Sequence, residues 1–182
     1  MGDGPDSVLA VYVNRDGLLD LVTANHESHD LSMVLGSGNG LFGIHRTYDT
    51  DGPAIVAATD VNGDDPQELV VVNFAVESVF VLFFNNDGFV ERVEEFLIDG
   101  QPSFITTGDV NDDTFSDLLL TSSGNAVSVV LGNGDGSFQT EQFYNVGRSP
   151  SSIAIADVDS DGLLDVLTAN RDSFDISVLL HR

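Results

Sequence analysis

The chain has 182 residues, enough for a domain with a sizeable core, and no cysteine, which excludes disulfides, thiol catalysis and cysteine-ligated zinc. Its formal net charge is −24, from 30 acidic residues against six basic ones, all arginine, so it should repel nucleic acid and anionic membranes. No apolar run is long enough to span a bilayer and no signal peptide is visible, so the expectation is a soluble chain without membrane insertion.

In chain order, the apolar segment SVLAVYV runs into an acidic nonapeptide, YVNRDGLLD, at Tyr12. The segments LLDLVTAN and LSMVL follow, then the turn GSGNG at Gly36 and a strand from Phe42. The same order returns as AIVAATDV, the nonapeptide DVNGDDPQE at Asp60, ELVVVNF, SVFVLFF, the turn NNDG at Asn85 and a strand from Phe89. It returns again as SFITTGDV, DVNDDTFSD at Asp109, DLLLTSS, AVSVVL, the turn GNGDG at Gly132 and a strand from Phe138. The last copy has SIAIADV, DVDSDGLLD at Asp157, LLDVLTAN and DISVLL, with no fourth strand.

The nonapeptides start 48, 49 and 48 residues apart, which marks one supersecondary unit copied in tandem. The apolar runs are short and punctuated by Gly, Asn and Asp, and none keeps a 3.6-residue period, so strands are expected and helices are not. The Asn-Gly and Asp-Gly pairs favour φ > 0 and close hairpins. Four antiparallel strands per period match a propeller blade; a stack of two-layer sandwiches explains the strand spacing but not the constant period. The expectation is an all-β propeller, or part of one, of about four four-stranded blades, the last lacking its outer strand. One repeat domain would cover 1–182, with repeats at 5–52, 53–101, 102–149 and an incomplete one at 150–182. It could be a closed four-blade ring with a thin last blade, a piece of a six- to eight-blade ring, or one of two chains that close a ring together.

The acidic loops have the pattern of a hard-cation site. In the fourth, Asp157, Asp159 and Asp161 alternate, Gly162 permits a left-handed turn, the Leu163 carbonyl can face the ion, and Asp165 can close the sphere with both oxygens. Six or seven oxygen ligands suit Ca²⁺ better than Mg²⁺, and the absence of His and Cys from the loop disfavours zinc and copper. The strand-flanked loop, with Thr168 at its twelfth position, is not an EF-hand. The third loop offers Asp109, Asn111, Asp113, the Phe115 carbonyl and Asp117, with β-branched Thr114 at the place that prefers glycine. The second offers Asp60, Asn62, Asp64, the Pro66 carbonyl and the longer Glu68, with Asp65 at the turn. The first keeps Asn14, Asp16, Leu18 and Asp20 but has Tyr12 at its start and Arg15 inside, and is expected to bind weakly or not at all. Asp/Asn-rich turns also form without metal, so what carries the calcium reading is their recurrence at one period.

These loops, written D-x-[DN]-x-[DN]-G-x-x-D, the GNGDGSF turn and the 48-residue period together resemble the FG-GAP/VCBS repeats, which form the calcium-binding β-propeller of integrin α subunits and many bacterial surface proteins. Phe42-Gly43 and Gly52-Pro53-Ala54 match the namesake pieces, and the resemblance runs from about Pro5 to Arg182. It implies a propeller with calcium on the named residues of loops two to four, up to three good sites, and a departure at Tyr12.

Outside the loops, His26, Glu27, His29 and Asp30 form one dense polar cluster. TANHESHDLSMVL aligns without gaps to TANRDSFDISVLL, so His26 replaces Arg171 and His29 replaces Phe174. The repeat requires histidine at neither place: the pair is a local site or a neutral change in an exposed loop, and its H-E-x-H spacing is not that of a metalloprotease. Arg15, Arg46, Arg92, Arg148 and Arg171 are expected in surface salt pairs, and Phe74, Phe80, Phe83, Phe84 and Phe89 in the core.

The expected function is a non-enzymatic, calcium-binding interaction or adhesion module, extracellular or at the cell surface, with a protein or glycan ligand. The alternatives are part of a polysaccharide lyase or hydrolase using His26 and His29 with an arginine, or a fragment that self-associates to complete a ring.

Overall fold

The computed structural model describes residues 2–65, 67–73 and 76–181. They form fifteen strands: β1 Pro5–Val11, β2 Asp20–Asn25, β3 Asp30–Gly38, β4 Leu41–Asp49, β5 Pro53–Thr59, β6 Glu68–Asn73, β7 Ser78–Phe84, β8 Val90–Leu97, β9 Ile105–Gly108, β10 Asp117–Ser122, β11 Ala126–Val130, β12 Gln142–Asn145, β13 Pro150–Ala156, β14 Asp165–Asn170 and β15 Asp175–Leu179. No helix occurs among the described residues.

The strands pair antiparallel into sheets ordered β1-β2-β3-β4, β5-β6-β7-β8, β12-β11-β10-β9 and β13-β14-β15. These are the blades of a propeller-type fold, the last with three strands. The repeat is carried into the register: Val8 faces Thr23, Val56 faces Val71, Ile105 faces Leu120 and Ile153 faces Thr168. Three blades open on a proline, Pro5, Pro53 and Pro150, with a bulge just after it. Proline lacks the N–H that a ladder needs, so it is tolerated at a strand's first residue.

Two compact units result: Met1–Asp60 with Asp64–Ile98, and Val61–Gly63 with Asp99–Arg182. In the first, Val11, Val22, Leu31, Met33, Val56, Leu69, Val71 and Leu82 form one buried cluster. In the second, Leu119, Val127, Val129, Ile153 and Val166 do. Within a blade the second strand is the most enclosed: every residue of β6 is buried, which explains its continuous Leu-Val-Val-Val run, whereas outer β8 is largely exposed.

Two expectations need correction. The fourth strand of the third blade does not start at Phe138, which makes only an isolated bridge to Gly132; regular pairing begins at Gln142. Phe83 and Phe84 are buried and Phe80 packs against the first cluster, but Phe89 is 51% exposed, with the Arg46 guanidinium 3.8 Å above its ring. Phe74 lies outside the described residues.

Candidate metal centre

Each acidic loop joins the first strand of a blade to the second, and its ninth residue opens that second strand. Asp20, Glu68, Asp117 and Asp165 are all buried there. In three blades the ninth carboxylate has the same two partners. Asp117 accepts the N–H of Val110 on Oδ2 and of Gly132 on Oδ1, both at 2.9 Å. Asp20 accepts from Val13 at 3.0 Å and Gly36 at 2.8 Å. Asp165 accepts from Val158 at 2.9 Å and His181 at 3.0 Å. The carboxylate thus ties the loop's second residue to the end of the third strand. Both oxygens are engaged before any cation arrives, although a carboxylate oxygen has two lone-pair sites and keeps one free.

Burial pushes the Asp20 and Asp117 carboxyls above their ordinary value, against the pull of these N–H groups. Asp165 moves the other way: its N–H bonds from Val158 and His181 outweigh desolvation.

The rest of each loop winds around its own side chains. In the fourth, Asp157 accepts the N–H of Ser160 at 2.7 Å and of Gly162 at 3.0 Å, Asp159 that of Asp161 at 3.2 Å, and Asp161 that of Leu163 at 2.9 Å. The third repeats this winding. Asp109 accepts from Asp113 and Thr114, Asn111 from Asp113, and Asp113 from Phe115, while the Asn111 amide donates to Asp113 at 2.8 Å. The sixth residue is left-handed in every loop: Gly17 at φ 76°, Asp65 at 37°, Thr114 at 75° and Gly162 at 92°. The fourth residue is left-handed in the last three, at Gly63, Asp112 and Ser160, but not at Arg15.

The first loop is therefore wound differently. Asn14 and Asp16 keep their turns, to Asp16 N–H and Leu18 N–H, but Tyr12 brings no carboxylate to receive the fourth and sixth N–H groups. Arg15 leaves its own loop and donates to the Asp64 carbonyl at 2.6 Å. In the second loop the Asp65 N–H donates to Asp60 at 3.4 Å; Asn62 is half-buried, Asp64 exposed, and Pro66 lies outside the described residues.

Convergence separates the loops. Asp157, Asp159 and Asp165 each offer a carboxylate oxygen, and these lie within 4.8 Å of one another. Asp161 stands outside that group, and among the described residues no other three His, Asp or Glu side chains converge in this way. Oxygens so placed suit a cation with ligand distances of about 2.3–2.6 Å after small side-chain movements.

The arginines depart from expectation. Arg92 pairs with Glu94 at 2.8 Å and Arg171 with Asp172 at 3.6 Å, but Arg15, Arg46 and Arg148 donate to backbone carbonyls of Asp64, of Asp87 and Gly88, and of Asp172.

Residues 109–168, from the first residue of the third loop to the strand after the fourth, match the FG-GAP-like repeat family. The sequence matches no curated protein. Among solved structures, BBS1N in complex with ARL6DN, in a lead-soaked crystal, superposes with TM-score 0.67 at 14% identity, over 98% of this chain and 57% of that one. A mercury-soaked crystal of the same complex gives 0.63 at 13%, over 100% and 59%. An Agrocybe aegerita lectin, described as recognising non-reducing terminal N-acetylglucosamine, gives 0.64 at 20%, over 87% and 45%. The chain thus spans about half the length of these proteins, and at such identities the likeness is one of fold. Residues 109–168 thus match the FG-GAP-like repeat family, and the chain as a whole has the repeated blades of a β-propeller.

Proposed function

We propose that the chain is a calcium-stabilised, non-enzymatic binding module that works outside the cell or at its surface. The observation that carries this is the convergence of Asp157, Asp159 and Asp165 in a loop with no nitrogen or sulfur donor. The fourth loop is the strongest site and the third the next, with Asp109, Asn111, Asp113 and Asp117. The second loop adds a weaker site, and the first binds weakly or not at all because Tyr12 supplies no carboxylate. Affinities of about 10⁻⁴–10⁻³ M, the range of extracellular modules, would keep the loops filled outside a cell and empty in a low-calcium cytosol.

The bound ion rigidifies the connection between the first two strands of a blade. The ligand is a protein or a glycan; the fold is shared with a protein solved in complex with ARL6DN and with a lectin that recognises N-acetylglucosamine, so it accommodates both classes. Calorimetric titration of Ca²⁺ into chelator-treated protein tests the ion. Asp159→Asn should abolish the tightest binding step; an unchanged first step in that variant would remove the fourth loop from the proposal.

A further inference from the structure

The four-residue turn between β2 and β3 carries His26 and His29, neither of which the fold uses. At the same turn in the last blade stand Arg171 and Phe174, and Phe174 is 93% exposed with φ 59°, while His29 has φ 57°. The backbone is the same, so the imidazoles are an addition to a turn that forms without them.

The turn is held on both sides. His26 N–H donates to the Gly4 carbonyl at 2.9 Å, Ser28 N–H to the Asp3 carbonyl at 3.2 Å, and Thr50 N–H to the His29 carbonyl at 3.0 Å. On this clamped turn the two rings lie 6.4 Å apart between centroids, tilted by 51°. Their Nδ1 atoms both lie beside Gly52: a Cβ built there would meet His29 Nδ1 at 3.0 Å and His26 Nδ1 at 3.9 Å. Gly52 has φ 94°, and with no side chain it leaves this flank of both rings uncrowded.

We propose that His26 and His29 form a two-imidazole site for a borderline divalent transition cation, with Zn²⁺ as its simplest occupant. With Zn–N bonds of about 2.0–2.1 Å and tetrahedral geometry, two coordinated rings have centroids about 5 Å apart, so closing the present gap takes roughly 1 Å of side-chain rotation. Both side chains are exposed and free to make it. Water completes the sphere, and the acidic surface concentrates divalent cations around it. This site is independent of the calcium loops: imidazole nitrogen is a poor ligand for Ca²⁺ and a good one for Zn²⁺.

The test is Zn²⁺ titration by calorimetry in saturating CaCl₂, with imidazole nitrogen shifts followed by NMR. One equivalent should bind with shifts at both histidines. His26→Gln and His29→Gln should each weaken binding by roughly tenfold or more, without changing the zinc-free melting temperature, and Asp159→Asn should leave it intact. Absence of a one-equivalent step, affinity unchanged from wild type in both histidine variants, or loss only in Asp159→Asn would overturn the proposal.

Discussion

At the scale of single residues, the ninth carboxylate of the loop has a structural duty beside the ionic one proposed for it. Asp117 satisfies the half-buried N–H of Val110 in its own loop and the buried N–H of Gly132 just past the third strand, and its remaining lone pairs are what a cation could use. Asp117→Ala should therefore destabilise the protein by at least about 1–3 kcal/mol, the cost of abandoning the buried Gly132 N–H. Chemical denaturation with and without chelator checks this: the loss should persist without calcium, whereas a loss seen only with calcium would mean a ligand and nothing more. Thr114 holds φ 75° because Asp109 takes its N–H at 2.7 Å, which overrides the reluctance of a β-branched residue. Thr114→Gly should stabilise the fold by about 1 kcal/mol, measurable by the same method. Most of the candidate ligands could be read from the nonapeptides. The second partner of the ninth residue could not, because Gly36, Gly132 and His181 lie 15 or 16 residues downstream and approach only once the third strand has paired. The arginine expectation failed for a related reason: backbone carbonyls at turns compete with carboxylates, and no spacing rule announces them.

At the scale of the element, strand order within each blade and the missing strand of the last follow from short apolar runs and turn residues, which the sequence displays directly. Register is subtler. Gly36, late in β3, and Gly132, just past β11, lie against backbone, so a Cβ would overlap the carbonyl oxygens of Leu19 and Ser116. Gly132→Ala should cost about 1–3 kcal/mol as the strand shifts, read as a lower denaturation midpoint. The matching places hold Phe84 and His181, so this approach is peculiar to blades one and three, and glycine content alone could not reveal it. A polar clasp recurs at the turn between second and third strands. Asn170 donates to Asp175 and Ser177, both at 2.9 Å, as Asn25 does to Asp30 at 2.6 Å and Ser32 at 2.9 Å. The Asn170 amide, then the Ser173 hydroxyl, hold the Asp175 carboxyl below its ordinary value. A depressed pKa means stabilisation that is complete above the unfolded value and lost as pH falls through the folded one. The stability difference between wild type and Asp175→Asn should thus be constant at neutral pH and vanish in strong acid; a difference that grows on acidification would reverse the assignment.

At the scale of the whole molecule, charge and repeat belong together. A net charge of −24 strains any compact state, and 14 of the 30 acidic residues sit in the four loops. Filling the loops removes local repulsion and adds stability by mass action, about 1–2 kcal/mol per site at about 2 mM Ca²⁺ if the affinities are of extracellular type. Two compact units with separate cores give that stabilisation two places to act: the second loop falls chiefly in the first unit, and the third and fourth in the second. The most direct test is thermal unfolding in about 2 mM CaCl₂ and in excess EDTA, for wild type and Asp157→Asn. Calcium should raise the wild-type melting temperature by several degrees, at about 2–4 °C per kcal/mol, and raise that of Asp157→Asn less. Identical melting in calcium and EDTA would contradict the calcium reading and leave the loops as turns held by their own side chains.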